Sequence, residues 1–561
     1  MKKIIIYILT GLLFTGCSKL DLQPLSQGSS ENWYSTETEF EMAVNDLFRE
    51  VFWPRDNDLW SDDLSFRGEV NAMVAGTLNA ETGTVESRWN DDYKAIARAT
   101  KIIENIEKVR GTISDAKLLQ YEANAKFVRA ARYADLISHW GDVPLLKNTL
   151  TLEEAYQQGR SSREDVLNFI YEDYDFAIAN LPQSYGSAGN RYGTKGAALA
   201  LKARIALYMQ DYTTARDAAK ACIDLNQYTL HPDFRTQFLT STKNSPETIF
   251  AIPRSVELGF FEDETKYYIS RLAGGFGSRN PTYGLFSAFL CEDGKPIDES
   301  PLYDPKNPFA NRDPRLTETF VEHQTPWLGF IFNPHPDTLD VLNVKTGAKV
   351  RNNDNRARNI NAPFNGLLMK KGIDEDYSDD FRASPDLVVA RYADVLLMYA
   401  EAKIELNELD NTVTDAINQV RARAYKKPVA SVSEYPAVTL QDQGTMRKEL
   451  RFERRMELAL EGLRYMDLMR WRLAEIVFNT PEYGMLDVAE LRTRVVQQGL
   501  WFFPGVPEVD ENTLADFTDI FDAGLLKLYG IRSFDAGKNY LWPIPAKDVL
   551  INSNIKQNPN Y

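Results

Sequence analysis

Thr194 to Met209 reads TKGAALALKARIALYM, and after Gln210-Asp211 the run Tyr212 to Leu225 reads YTTARDAAKACIDL. Both runs repeat apolar residues at three- and four-residue spacing, which predicts two amphipathic helices joined by a very short turn. Ala203, Ala206, Ala215 and Cys222 put small side chains where two antiparallel helices must approach closely.

This pair resembles the tetratricopeptide helix–turn–helix, a unit of ~34 residues with small residues at its packing positions. A second pair is predicted at Val388 to Asn407 and Thr414 to Ala424, and weaker relatives at 86–139 and 163–181. A helix is also expected at 38–52, and a long, highly charged one at 443–475, placed to cap the stack. Residues 230–385 break the pattern: they are rich in Pro, Gly, Asn and aromatics and hold no sustained helical period. A structureless loop of that length does not fit a compact domain, so an inserted irregular, loop-rich lobe is expected there. The expected fold is mainly α, one unit over 36–561. A tetratricopeptide-like frame fills about 38–229 and 386–475, and a mixed C-terminal part fills 476–561.

The composition of the 561 residues, 43% apolar with 12% aromatic and 26% charged, excludes wholesale disorder and a polytopic membrane protein. With 64 basic against 80 acidic residues the net charge is −16, the wrong sign for a nucleic-acid partner. The N-terminus carries Lys2 and Lys3, an apolar run from Ile4 to Phe14, then Thr15-Gly16-Cys17. That run falls short of the ~20 residues a membrane span needs, so residues 1–16 read as a signal peptide. A small residue followed by Cys behind the apolar run is the lipobox pattern, although Phe14 stands where Leu is preferred. It predicts lipidation of Cys17, a membrane anchor, and a lipidated tether over 17–35.

Five segments together resemble the SusD/RagB family of outer-membrane nutrient-binding lipoproteins. Leu20-Asp21-Leu22-Gln23-Pro24 follows the lipid Cys. Asn311 to Leu316 reads NRDPRL, Arg391 to Ala402 reads RYADVLLMYAEA, and Arg451 to Trp471 reads RFERRMELALEGLRYMDLMRW. The chain closes on Leu541 to Pro545 (LWPIP) and Gln557 to Tyr561 (QNPNY). The resemblance implies a SusD-like fold and a non-enzymatic, cell-surface protein on the outer membrane. Such a protein binds an oligosaccharide, needs no cofactor, and delivers the glycan to a SusC-like TonB-dependent transporter. Two other readings remain open: a peptide- or glycopeptide-binding member of the same family, and a periplasmic tetratricopeptide scaffold.

The residues themselves point away from catalysis. There is no HExxH, CxxC pair, Walker loop or GxSxG, and Gly274 to Gly277 lacks a strand–turn–helix context. His139, His231, His323 and His335 are scattered, and Cys222 sits in an Ala-rich helix as packing. Two acidic clusters, Asp56 to Asp63 and Asp374 to Asp380, offer oxygen ligands but lack the Gly and bidentate Glu of an EF-hand loop. They read as solvated loops, so no metal site is expected. The charges Arg451, Glu453, Arg454, Arg455 and Glu457, with Arg312, Asp313 and Arg315, read as architecture: a salt-bridge-laced helix face and a turn.

A non-catalytic sugar site uses flat aromatic platforms flanked by polar side chains. Trp140, Trp471 and Trp542 are expected in the core. The resemblance implies a site formed by loops of 53–89 and 274–330, and the aromatics there are Trp60, Trp89, Tyr283 and Trp327, with Asp62, Arg67 and Asn280 as polar partners.

Overall fold

Thr194 starts the Ala-rich pair: its hydroxyl accepts the backbone N–H of Ala197 at 3.1 Å, a cap worth ~1 kcal/mol. The computed structural model describes residues 33–186 and 192–561. The signal peptide, Cys17 and the tether as far as residue 32 therefore lie outside the described residues. The helical frame runs α1 (Glu37–Leu47), α2 (Gly83–Asn105), α3 (Asp115–Trp140), α4 (Arg163–Asn180), α5 (Lys195–Tyr208), α6 (Tyr212–Asp224), α7 (Tyr392–Glu405), α8 (Asn411–Ala424), α9 (Gln443–Leu458) and α10 (Arg464–Arg470). From α2 to α8 each helix packs on the next, the nearest-neighbour stacking of a tetratricopeptide-like array. Ala203, Ala206, Ala215 and Cys222 are all fully buried between α5 and its neighbours. Cys222 and Cys291 are both buried free thiols.

Two helical expectations are corrected. Leu387–Arg391 is a strand, and α7 begins only at Tyr392. The β-branched Val388 and Val389 suit a pleated surface, and the segment pairs antiparallel with the strand Thr248–Ile252 (Thr248 opposite Arg391, Ile252 opposite Leu387). This two-stranded sheet closes the neck of the inserted lobe. The long helix expected over 443–475 is broken after Leu458. Leu460 and Gly462 turn to positive φ (62° and 73°) before α10 starts. The terminal carbonyls are taken by cations from elsewhere: Lys371 Nζ donates to the carbonyls of Glu457 and Ala459, both at 2.8 Å, and Arg391 donates to that of Glu457 at 2.9 Å.

The lobe is built from short pieces. Its strand Arg279–Pro281 pairs with Leu64–Phe66 of the N-terminal segment. Two hairpins follow, Thr325–Trp327 with Phe330–Phe332 and Asp340–Leu342 with Lys349–Arg351. One hydrophobic core fills the frame, from Phe40 through Trp140 to Trp542 and Ile555. A second unites Tyr283, Phe286 and Phe320 of the lobe with Phe452 and Met456 of α9 and Phe502, Phe503 and Phe517 of the C-terminal part. Lobe, α9 and C-terminal part therefore share one interior.

The signature charges join these layers. Glu453, Arg454, Arg455 and Glu457 are buried, so the architectural charges of α9 face the interior rather than solvent. Arg315 meets Asp313, Glu453 and Glu457 at 2.8, 2.6 and 3.0 Å. Arg391 meets Glu247, Glu457 and Glu461, each at 2.7 Å, and Arg423 also pairs with Glu247 and Glu457. Burial opposes ionisation of Glu457, yet Arg423, Arg391 and Arg315 hold its carboxyl well below the usual carboxylate range.

Candidate functional site

The expected platform rings are packed. Trp60 is 8% exposed, and Trp89, Tyr283 and Trp327 are 3%, 3% and 5% exposed. Trp60 lies edge-to-face on Trp542 and Tyr465, with centroids 5.5 and 5.9 Å away. Trp327 belongs to a small cluster with Ile269, Val321 and Phe332, and the Arg235 guanidinium sits 5.4 Å from its ring centre. None of the four offers an open face on which a sugar could stack; each fills a hydrophobic interior instead. Trp89 keeps an edge on a groove of about 410 Å³ with Tyr93, Leu146 and Ile555. Tyr283 and Asp62 line a cavity of about 590 Å³ whose other walls include Tyr483, Asp516 and Phe517.

The polar candidates divide. Asp62 is half-buried against Arg455 and Arg464, both at 2.8 Å; burial opposes the shift, but these two arginines hold its carboxyl well below the usual range. Asn280 is fully buried, and its amide donates to the carbonyls of Gly277 and Leu367. Asp62 thus ties the N-terminal segment to α9 and α10, and Asn280 cross-links two stretches of the lobe. The acidic cluster Asp56 to Asp63 is likewise not a solvated loop. Asp56 pairs with Arg88 at 2.7 Å and His139 at 3.1 Å, and Asp63 with Arg455 at 2.7 Å. In the second cluster Asp374 accepts the backbone N–H of Thr240, whereas Asp379 and Asp380 are exposed. Among the described residues no group of His, Cys, Asp and Glu is placed to hold a metal ion.

Arg67 is different. It occupies the first central position of a tight turn after the strand Leu64–Phe66, closed by the Glu69 N–H donating to the Phe66 carbonyl at 2.8 Å. Arg67 and Gly68 both have positive φ, 54° and 84°, the backbone of a type I′ turn that normally selects Asn or Gly. The guanidinium approaches Asn361 (Nη1 to Oδ1, 3.5 Å), and its Nε is buried without a partner. Arg271 reaches the same residue, its Nε donating to the Asn361 carbonyl at 2.6 Å. Tyr529 lies across Gly68, where a Cβ would stand 2.6 Å from the ring, and packs edge-on against Phe364 at 4.9 Å. Arg356 sits 5.8 Å from the Tyr529 ring centre. Phe276 is 43% exposed on the loop leading from Arg271.

Four separate stretches thus converge: the 66–69 turn, the 271–276 loop, the Arg- and Asn-rich 351–361 segment (RNNDNRARNIN), and the strand Lys527–Ile531. The arrangement offers half-exposed aromatic faces beside amide and guanidinium donors. Sequence reasoning named Arg67 and missed Arg271, Arg356, Asn361 and Tyr529. The density of Arg and Asn in 351–361 was the available signal; Tyr529 had none, because its neighbour Gly68 lies near the other end of the chain.

Residues 246–561 match the family described as "SusD family", and residues 32–207 match one described as "starch-binding associating with outer membrane". The chain is 25% identical over 515 residues to SusD-like protein P25 of Formosa agariphila, covering 86% of this chain and 92% of that protein. A SusD-like protein of Bacteroides ovatus is 21% identical over 501 residues, 84% of this chain and 82% of the other. Among solved structures, a SusD-like carbohydrate-binding protein of Bacteroides fragilis superposes with a TM-score of 0.74 at 27% identity, over 93% of this chain and 99% of that one. A laminarin-binding SusD-like protein shares the fold, with a TM-score of 0.58 at 19% identity over 94% and 100% of the two chains. A family match over more than half of the sequence, with the same fold over nearly all of it, establishes that the chain belongs to the SusD family.

Proposed function

We propose that this protein is a glycan-binding lipoprotein of the outer-membrane surface, anchored through Cys17, which captures an oligosaccharide and delivers it to a SusC-like TonB-dependent transporter. The observation that carries the reading is the convergence of Tyr529, Arg67, Arg271 and Asn361 on one side of the lobe. Sugars present C–H faces and hydroxyl edges, and a half-exposed ring flanked by amide and guanidinium donors suits both. The matched carbohydrate-binding relative supports the ligand class. Among the described residues no group of His, Cys, Asp and Glu is placed to hold a metal ion; the role proposed is binding without turnover. Among them no helix is long and apolar enough to cross a membrane; the attachment proposed is the lipid on Cys17.

Titration calorimetry of the full chain against a glycan panel and a peptide panel tests the ligand. Glycan binding that weakens at least tenfold in Tyr529→Ala is expected; binding to peptides alone overturns the reading. Protease shaving of intact cells tests the location. A surface protein is degraded and a periplasmic scaffold survives, while Cys17→Ala releases the protein from the membrane. Co-purification with a TonB-dependent transporter from detergent-solubilised membranes tests the partner.

A further inference from the structure

We propose that the Arg67–Arg271 pair selects glycans carrying an anionic substituent, a uronate carboxylate or a sulfate ester. This rests on the glycan-binding reading above and names the ligand class of that same site.

Neither guanidinium makes an ion pair among the described residues: Arg67 has Asn361 Oδ1 at 3.5 Å and the Phe66 ring centre at 5.4 Å, and Arg271 has the Asn361 carbonyl. By contrast, the more deeply buried lobe arginines Arg254 and Arg279 are neutralised, by Glu50 and Glu262 and by Glu264. Asp354 accepts the backbone N–H of Arg271 at 2.7 Å and leaves its other, buried oxygen without a partner; its charge acts on the Arg271 guanidinium without forming an ion pair. Two like charges that share Asn361 repel each other, and an anion placed between them relieves that repulsion. The Arg271 guanidinium feels it: burial first, then the charge of Arg67, lower its proton affinity.

Backbone strain points the same way. A side chain at φ 54° costs of order 1 kcal/mol relative to Gly, and such strain concentrates where a residue serves a ligand. Arginine matches the geometry of carboxylate and sulfate oxygens through paired N–H donors. The net charge of −16 does not prevent this, because distant charges are screened beyond ~8 Å at physiological salt while contact pairs are not.

The test is affinity electrophoresis and calorimetry of the full chain against polyuronates and sulfated polysaccharides. Each is paired with its carboxyl-reduced or desulfated counterpart, and neutral glucans and mannans are included. The expected result is binding of at least one anionic glycan ten or more times tighter than its neutralised partner, weakening as salt is raised. The carboxylate and sulfate arms identify which anion is taken. Arg67→Gly removes the guanidinium while suiting the turn, so it keeps the melting temperature and loses the tenfold preference; Arg271→Gln does the same. Equal binding of charged and neutralised partners, or an undiminished preference in both variants, overturns this proposal and leaves the glycan reading intact. Binding to none of the glycans overturns both.

Discussion

Arg315 and Glu457, 142 residues apart in the chain, meet at 3.0 Å with neither side chain reached by solvent. The same glutamate receives Arg391 at 2.7 Å and Arg423, and so ties the lobe, the neck strand, α8 and α9 at one point. Leaving such a cluster with unpaired cations costs far more than a surface pair is worth. Glu457→Gln is therefore expected to lower unfolding stability by about 3–5 kcal/mol. Urea titration with a far-ultraviolet readout measures this, and a loss under about 1 kcal/mol would show that solvent enters the cluster.

Trp60 gives a second, separable expectation. Its ring closes on Trp542 and Tyr465 in the frame core, and truncating such a ring to alanine costs about 3–5 kcal/mol. Trp60→Ala should melt well below the parent protein while the folded fraction keeps its glycan affinity. Trp327→Ala should behave alike. An affinity loss without a stability loss in either variant would return that ring to the binding surface.

The frame was legible because α5 and α6 carry their evidence locally: small residues at helical spacing, a capping Thr194 and a short turn. The strand Leu387–Arg391 was not, because its β-branched residues run without a break into the helical pattern of α7, and only the partner strand Thr248–Ile252 tells the two apart. The charges of α9 read as architecture, but their burial was not legible, because the partners of Glu453 and Glu457 are Arg315, Arg391 and Arg423, distant in sequence. Site aromatics suffer the same blindness. A tryptophan in an irregular segment looks identical whether it covers a core or awaits a sugar, and tertiary packing alone decides. Arg67 stood out by residue type and region; Tyr529 acquires meaning only from Gly68.

That contact is testable at the glycine. Gly68 has φ 84°, and a methyl group there would meet Tyr529 Cδ1 at 2.6 Å and Cβ at 2.8 Å. Gly68→Ala is expected to push the ring aside, cost about 1–2 kcal/mol from the left-handed backbone, and weaken glycan binding several-fold. Thermal melting and calorimetry on the same preparation check both halves. Unchanged affinity beside a lowered melting temperature would remove Tyr529 from the site.

Asp58 makes stability depend on pH with a definite sign. It is buried beside Leu460 and Gly462, and its carboxyl accepts the Gly462 N–H at 3.1 Å. Burial pushes its pKa up from 3.8 to about 6, with the Arg55 charge opposing and Asp63 reinforcing the rise. The folded protein therefore holds this proton more tightly than the unfolded chain does. The group's contribution to stability is complete below about pH 4 and is lost as pH rises through about 6, by at most about 3 kcal/mol. Asp58→Asn carries no charge at any pH and keeps an oxygen for the Gly462 N–H. Compared by urea unfolding at pH 4 and pH 8, the variant should match the parent at the lower value and exceed it by about 1–3 kcal/mol at the higher. A variant that is no more stable than the parent at pH 8 would mean that Arg55 and ordered water already neutralise the buried carboxylate.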